Sequence, residues 1–136
     1  MQNRERGLKK KLVLITGASG SIGHGIAKCF AEEEANLALA DLRDEDLMEL
    51  MKEFKNYNIN TECFPLDVKK QESCDKLIQD VLDKFEKIDF LVNNAGVIGS
   101  SVPSLGMPLE DVTDDDWNET YQVNTRGVFF LCKSVV

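Results

Sequence analysis

Short apolar runs alternate along the chain with amphipathic stretches of helical period. The run Leu12-Val13-Leu14-Ile15 predicts a buried strand over Leu12–Thr16. Residues 21–34 predict a helix with Ile22, Ile26, Ala27 and Phe30 on one face. The stretch 36–42, with Leu-Ala-Leu-Ala inside it, predicts a second strand. Leu47, Leu50, Met51 and Phe54, spaced i, i+3, i+4, i+7, predict a helix over about 44–57, with Asn58 as its stop. A third strand is expected near 60–66. Cys74, Leu77, Ile78, Val81, Leu82 and Phe85 form one continuous stripe, which predicts a helix near 70–86. The segment Ile-Asp-Phe-Leu-Val-Asn-Asn-Ala-Gly reads as a fourth strand running into a turn. Residues 97–112, with two glycines, two prolines and several serines, read as a loop. Thr113 and Asp116 then resemble a capping box. The acidic run Asp114-Asp115-Asp116 suits the first turn of a helix, where the macrodipole favours negative charge. That last helix is expected from about 114 to the chain end, with Trp117, Tyr121, Asn124, Val128, Leu131 and Val135 on one face.

Strands alternating with helices predict an α/β fold of parallel βαβ units. Right-handed crossovers place the strands in the order 3-2-1-4, a Rossmann-type doubly wound sheet that is still incomplete at residue 136. The 136 residues form one domain, without repeats or low-complexity linkers.

The first strand leads into Thr-Gly-Ala-Ser-Gly-Ser-Ile-Gly-His-Gly, residues 16–25, with four glycines in ten residues. Ligands of a parallel sheet bind beyond the carboxyl ends of its strands. The unpaired N–H groups of a helix's first turn favour an anion there, and glycine lets the backbone approach it closely. Ser19, Gly20, Ser21 and Ile22, with Gly17 and Gly23, are therefore candidates to hold a diphosphate. The competing reading is a plain tight strand–helix turn. A P-loop would need Gly-Lys-Ser/Thr, which is absent. Asp41, at the end of the second strand and 18 residues after Gly23, is placed to accept the hydroxyls of an adenosine ribose.

With these features the chain resembles the short-chain dehydrogenase/reductase family from about Lys11 to Val136. The family's Thr-Gly-x-x-x-Gly-x-Gly is matched at Thr16, Gly17 and Gly23. Ser21 stands where the middle glycine belongs, and Gly20 falls one place early. Either Ser21 adopts a conformation open to a residue with a Cβ, or Gly20 absorbs the turn. Leu-Asp-Val after the third strand resembles the family's adenine-contacting step, carried by Asp67 and Val68. Asn93-Asn94-Ala95-Gly96 matches the family signature after the fourth strand. There the resemblance implies support of the sheet and contact with the cofactor's ribose by Asn93, Ala95 and Gly96. Trp-x-x-x-Tyr-x-Val-Asn, ending at Asn124, resembles the fourth-helix motif, whose asparagine holds a water in a proton relay. An asparagine that satisfies a local kink is the alternative.

The resemblance implies hydride transfer between a nicotinamide cofactor and an alcohol or carbonyl substrate. A tyrosine with a lysine four residues later would serve as acid and base, and a serine would polarise the substrate. Tyr57 is followed at that spacing by Thr61 and Tyr121 by Thr125, so neither forms the pair. The 136 residues are thus expected to carry the cofactor-binding part and to lack dehydrogenase activity alone. A non-catalytic nucleotide-binding fragment or module is the alternative. NAD is the expected cofactor rather than NADP. A 2′-phosphate about 4 Å from the Asp41 charge would cost on the order of 4 kcal/mol at an effective dielectric near 20. Arg43 is the competing feature.

Charge and cysteine usage narrow the partners. A net charge of −8 argues against broad nucleic-acid binding. No apolar run reaches bilayer-spanning length, and the first residues lack a signal-peptide core. Cys29, Cys63, Cys74 and Cys132 form no Cys-x-x-Cys pair and lie in apolar patterns. They read as buried free thiols in a reducing compartment, the cytoplasm. His24 is the one histidine, so no histidine-based metal site is expected. It reads as an exposed residue of the first helix turn. A homo-oligomer, dimer or tetramer, is expected of the full-length protein, and the uncovered edge of the fourth strand is expected to make residues 1–136 self-associate.

Overall fold

The computed structural model describes residues 7–98 and 108–136. β1 (Leu12–Thr16), β2 (Asn36–Asp41), β3 (Thr61–Pro65) and β4 (Phe90–Val92) form one parallel sheet in the order β3-β2-β1-β4. The register pairs Leu14 with Ala38 and Leu91, and Leu39 with Cys63. Between the strands run α1 (Ser21–Glu32), α2 (Asp44–Phe54) and α3 (Gln71–Phe85), followed by α4 (Asp114–Tyr121) and α5 (Val128–Val135).

All five residues of β1 are buried because helices cover both faces of the sheet. Val13, Ile15, Leu37 and Leu39 face α1 and α2, where Ala27, Ala31, Leu47, Leu50 and Phe54 close the layer. Leu12, Leu14, Ala38 and Ala40 face the other layer, built from Cys74, Leu77, Ile78 and Val81 of α3 and Phe130 and Leu131 of α5. Strand period and helix stripe therefore meet as two separate cores. Gly127 permits close packing of the last helical segment: a Cβ there would lie 2.9 Å from Val68 Cβ.

Several expectations are corrected. The 114–136 helix is three pieces, because a π-helical turn at Gln122–Gly127 interrupts it. Trp117 and Tyr121, expected on its apolar face, are 70% and 52% exposed. Ile22, expected on the inner face of α1, is 71% exposed, and the small residues Gly23, Ala27 and Ala31 are buried instead. Of the cysteines expected to be buried, only Cys74 is; Cys63 is half-buried, and Cys29 and Cys132 are exposed. Burial, with Glu62 adding repulsion, pushes the Cys63 thiol up to about 12. Burial above all, then the carboxylates of Asp75 and Asp67, pushes Cys74 up to about 11. His24 is half-buried, with Nε2 2.7 Å from Glu53 Oε2 and its ring edge-on to Phe54, so it links α1 to α2. The expected loop lies largely outside the described residues; of its described part, Leu109–Asp111 forms a 3₁₀ turn.

Candidate functional site

The carboxyl ends of the four strands open onto a cleft of about 450 Å³. Its floor is the turn from β1 into α1. Gly17 has φ +62°, a left-handed conformation costly for any residue with a Cβ. Gly20 is extended, with φ −67° and ψ 157°, and Ser21 is the first helical residue of α1. The missing middle glycine therefore costs no backbone strain, because neither Gly20 nor Ser21 carries a positive φ. Gly23 is the tightest point: a Cβ would lie 2.2 Å from the Gly17 carbonyl oxygen and 2.7 Å from Asn94 Nδ2. No side chain caps the N-terminus of α1, so its first-turn amides lie against the cleft without a side-chain partner.

Gly17, Ser19, Gly20, Ser21, Ile22 and Gly23 all line this cleft, as do Asp41, Asp67, Val68, Ala95 and Gly96. Asp41 ends β2, and its carboxylate is turned to the glycine-rich turn. The amide and hydroxyl of Ser19 both donate to Asp41 Oδ2, at 2.9 and 2.6 Å. The amide of Leu42 donates to Oδ1 at 2.7 Å. Arg43 stands exposed at the rim, with its guanidinium 2.6 Å from the half-buried Asp46. Asp67 is held by its own loop: the Lys69 amide donates to Oδ1 at 3.1 Å, and Lys70 Nζ lies 3.2 Å from Oδ2. Leu66, Val68 and Val123 supply an apolar wall.

Asn93 does not line the cleft. Its Nδ2 donates to Cys132 Sγ at 3.6 Å. Its neighbour Asn94, which the sequence reading did not single out, has the organising role. Asn94 Nδ2 donates to the carbonyls of Thr16 and Gly17, at 3.1 and 3.0 Å. The buried Thr16 hydroxyl accepts from the amides of Asn94 and Ala95, each at 3.1 Å. With the Thr16 hydroxyl's own donation to the Val92 carbonyl at 3.4 Å, five hydrogen bonds join the ends of β1 and β4 and fix the cleft floor. The signal was present in the sequence: an asparagine in a strand-end turn offers both donors and an acceptor to neighbouring backbone.

Asn124 sits in the π-helical turn. Its Oδ1 accepts from the Val97 amide and its Nδ2 donates to the Val97 carbonyl, both at 2.8 Å. A Cβ on Gly96 would lie 3.4 Å from Asn124 Oδ1. The side chain therefore clamps the chain leaving β4 with one donor and one acceptor. Lys69 and Glu119, both lining the cleft, approach to 3.7 Å. Among the described residues no cluster of histidine, cysteine or carboxylate side chains could hold a metal. No helix among them is long and apolar enough to cross a membrane.

Known proteins share this arrangement. The family described as short chain dehydrogenase matches residues 11–136. The chain is 32% identical over 130 residues to 2,3-dihydro-2,3-dihydroxybenzoate dehydrogenase of Bacillus subtilis, covering 96% of this chain and 48% of that protein. It is 33% identical over 132 residues to NADP-dependent mannitol dehydrogenase of Alternaria alternata, covering 94% of this chain and 47% of that protein. The structure superposes on that of NAD+-bound xylitol dehydrogenase with a TM-score of 0.86 at 32% identity, covering 94% of this chain and 47% of the other. The chain spans about half the length of the curated relatives it matches. A glycine turn under an uncapped helix, an acid ending β2 and an asparagine tying β4 to β1 are the chain's own features. With the match over residues 11–136, they place it in the short-chain dehydrogenase/reductase family.

Proposed function

We propose that this chain forms the NAD(H)-binding part of an oxidoreductase that interconverts an alcohol and a carbonyl compound. The observation that carries the cofactor reading is the Asp41 carboxylate, set in the cleft 2.6 Å from the Ser19 hydroxyl beside the uncapped start of α1. The residues fit the adenosine half of the cofactor. The first-turn amides at Ser21, Ile22 and Gly23 would receive the diphosphate, and Gly17 and Gly23 leave room for it. Asp41 would accept the ribose hydroxyls. Asp67 and Val68, with Leu66 and Val123, would flank the adenine, and Ala95 and Gly96 would line the second ribose. Bound nicotinamide supplies the carbon that takes and gives the hydride.

A 2′-phosphate would meet the Asp41 charge in a site whose rim arginine, Arg43, is already paired with Asp46. Xylitol dehydrogenase was solved with NAD+, whereas the mannitol dehydrogenase is NADP-dependent, so membership of the family leaves the choice to such local charges. Titration of the protein with NADH and NADPH tests the reading. NADH is expected to bind at least tenfold more tightly, the margin left if relaxation halves the repulsion. Equal or tighter NADPH binding overturns it.

Within the 136 residues the chemistry stops at binding and positioning. Neither Tyr57 nor Tyr121 is followed four residues later by lysine, and an isolated phenol, with a pKa of about 10, is a poor base at pH 7. Residues 1–136 are expected to form no NADH from NAD+ with a panel of alcohols. Turnover abolished by Tyr121→Phe would assign the acid/base role within this chain instead.

A further inference from the structure

The Ser19–Asp41 contact links two elements that a cofactor must touch at once. Ser19 belongs to the turn before α1, and Asp41 ends β2, 22 residues on. Both donors of Ser19 converge on one oxygen, Oδ2, and the Leu42 amide takes the other. The carboxylate is therefore fixed in rotation. A carboxylate offers about four acceptor directions, so after these three bonds it still has capacity for a hydroxyl donor. The same contact has a second consequence. An amide and a hydroxyl at a glycine-rich turn are the groups a phosphate would use. Here Asp41 occupies both.

We propose that Ser19 is a specificity-determining positioning residue. It locks Asp41 to accept the ribose 2′-hydroxyl, and in the same hydrogen bonds it withholds its own amide and hydroxyl from a 2′-phosphate. This rests on the reading of Asp41 as the ribose acceptor. Ser19 takes no part in hydride transfer. Its effect is confined to the adenosine end and does not depend on the nicotinamide pocket.

The test uses ADP-ribose, its 2′-deoxy analogue and its 2′-phosphate, titrated into the protein and into Ser19→Ala and Ser19→Thr. Binding is followed by the amide NMR shifts of residues 17–23 and 41–43, which report dissociation constants into the millimolar range. Thermal unfolding of each variant checks that the fold survives. Ser19→Ala is expected to weaken ADP-ribose about tenfold, the order of one hydrogen bond to a charged group. It should leave the 2′-deoxy analogue within about twofold, because that ligand has lost the hydroxyl at issue. Ser19→Thr, which keeps both donors, should restore wild-type discrimination. In Asp41→Ala the freed Ser19 groups should raise affinity for the 2′-phosphate, and Asp41→Ala with Ser19→Ala should lose most of that gain. Equal weakening of ADP-ribose and its deoxy analogue by Ser19→Ala would show a general packing role and overturn the proposal. A wild-type protein that binds the two ligands alike, or shows no shifts with either, overturns the Asp41 reading itself.

Discussion

Gly23 carries more of the site's geometry than any other single residue. Its hydrogen points at the Gly17 carbonyl and at the Asn94 amide group, which is itself holding two backbone carbonyls. A methyl at 2.2 Å from backbone oxygen has no flexible neighbour to displace. Gly23→Ala must therefore move the turn, the start of α1 or Asn94. Overpacking of this kind costs about 1–3 kcal/mol. Denaturant unfolding should show that loss, and ADP-ribose binding should fall with it. Gly25→Ala is the control: a Cβ there meets nothing within 4 Å, and in a helix alanine is favoured over glycine. Its stability should stay level or rise. Equal losses in the two variants would show that the close approach at Gly23 is not what matters.

At the scale of elements, the sheet is pinned at both ends of the β1–β4 pair. Thr16 and Asn94 tie the carboxyl ends, and Asp89 ties the opposite ends. Asp89 Oδ2 accepts from the Leu12 amide at 2.8 Å, and Lys11 and Lys87 both lie 3.2 Å from Oδ1. The Leu12 N–H, more than the two lysines, holds the Asp89 carboxyl below the usual carboxylate range. A depressed folded-state pKa means stability that is fully present above about pH 4, the unfolded value, and lost as pH falls through the lower folded one. Asp89→Asn should therefore lower stability at neutral pH and flatten the acid limb of a stability-versus-pH curve below pH 4. An unchanged acid limb would assign acid unfolding to other carboxylates. The same scale explains the broken last helix. Asn124 makes its clamp on Val97 from within the π-helical turn, a local rewinding often found at functional sites.

Across the whole molecule, the apolar surface is uneven. Trp117, Tyr121 and Phe129 are more than half exposed along α4 and α5, and Phe90 is partly exposed on β4, at the edge of the sheet. Exposed aromatic residues on neighbouring helices and an unpaired strand edge both favour association. Residues 1–136 are expected to self-associate with rising concentration in sedimentation velocity. Trp117→Ser with Phe129→Ser should reduce this without changing ADP-ribose binding, because neither side chain lines the cleft. A monomer at all concentrations would count against it.

What local pattern determines here is element type and order. A buried parallel strand must be continuously apolar and a covering helix must carry a stripe, so periodicity located β1, α2 and α3, and the right-handedness of βαβ crossovers gave the order β3-β2-β1-β4. The glycine turn and Asp41 stood out for a similar reason: their residue types answer to backbone and charge demands at strand ends, whereas Asp67 and Gly96 stood out only through the family resemblance. Other features depended on three-dimensional neighbours. Ile22 fits a helical stripe, yet α1 meets the sheet through Gly23, Ala27 and Ala31, where only small side chains allow the approach. Asn93 and Asn94 are indistinguishable by type; the alternation of a strand end turns one toward Cys132 and the other onto β1. The engagement of Ser19 with Asp41 joins residues 22 apart, and only the parallel pairing of β1 with β2 brings them together. Sequence pattern is a record of what each residue buries, whereas the partner it is buried against exists only once the chain has crossed over and returned.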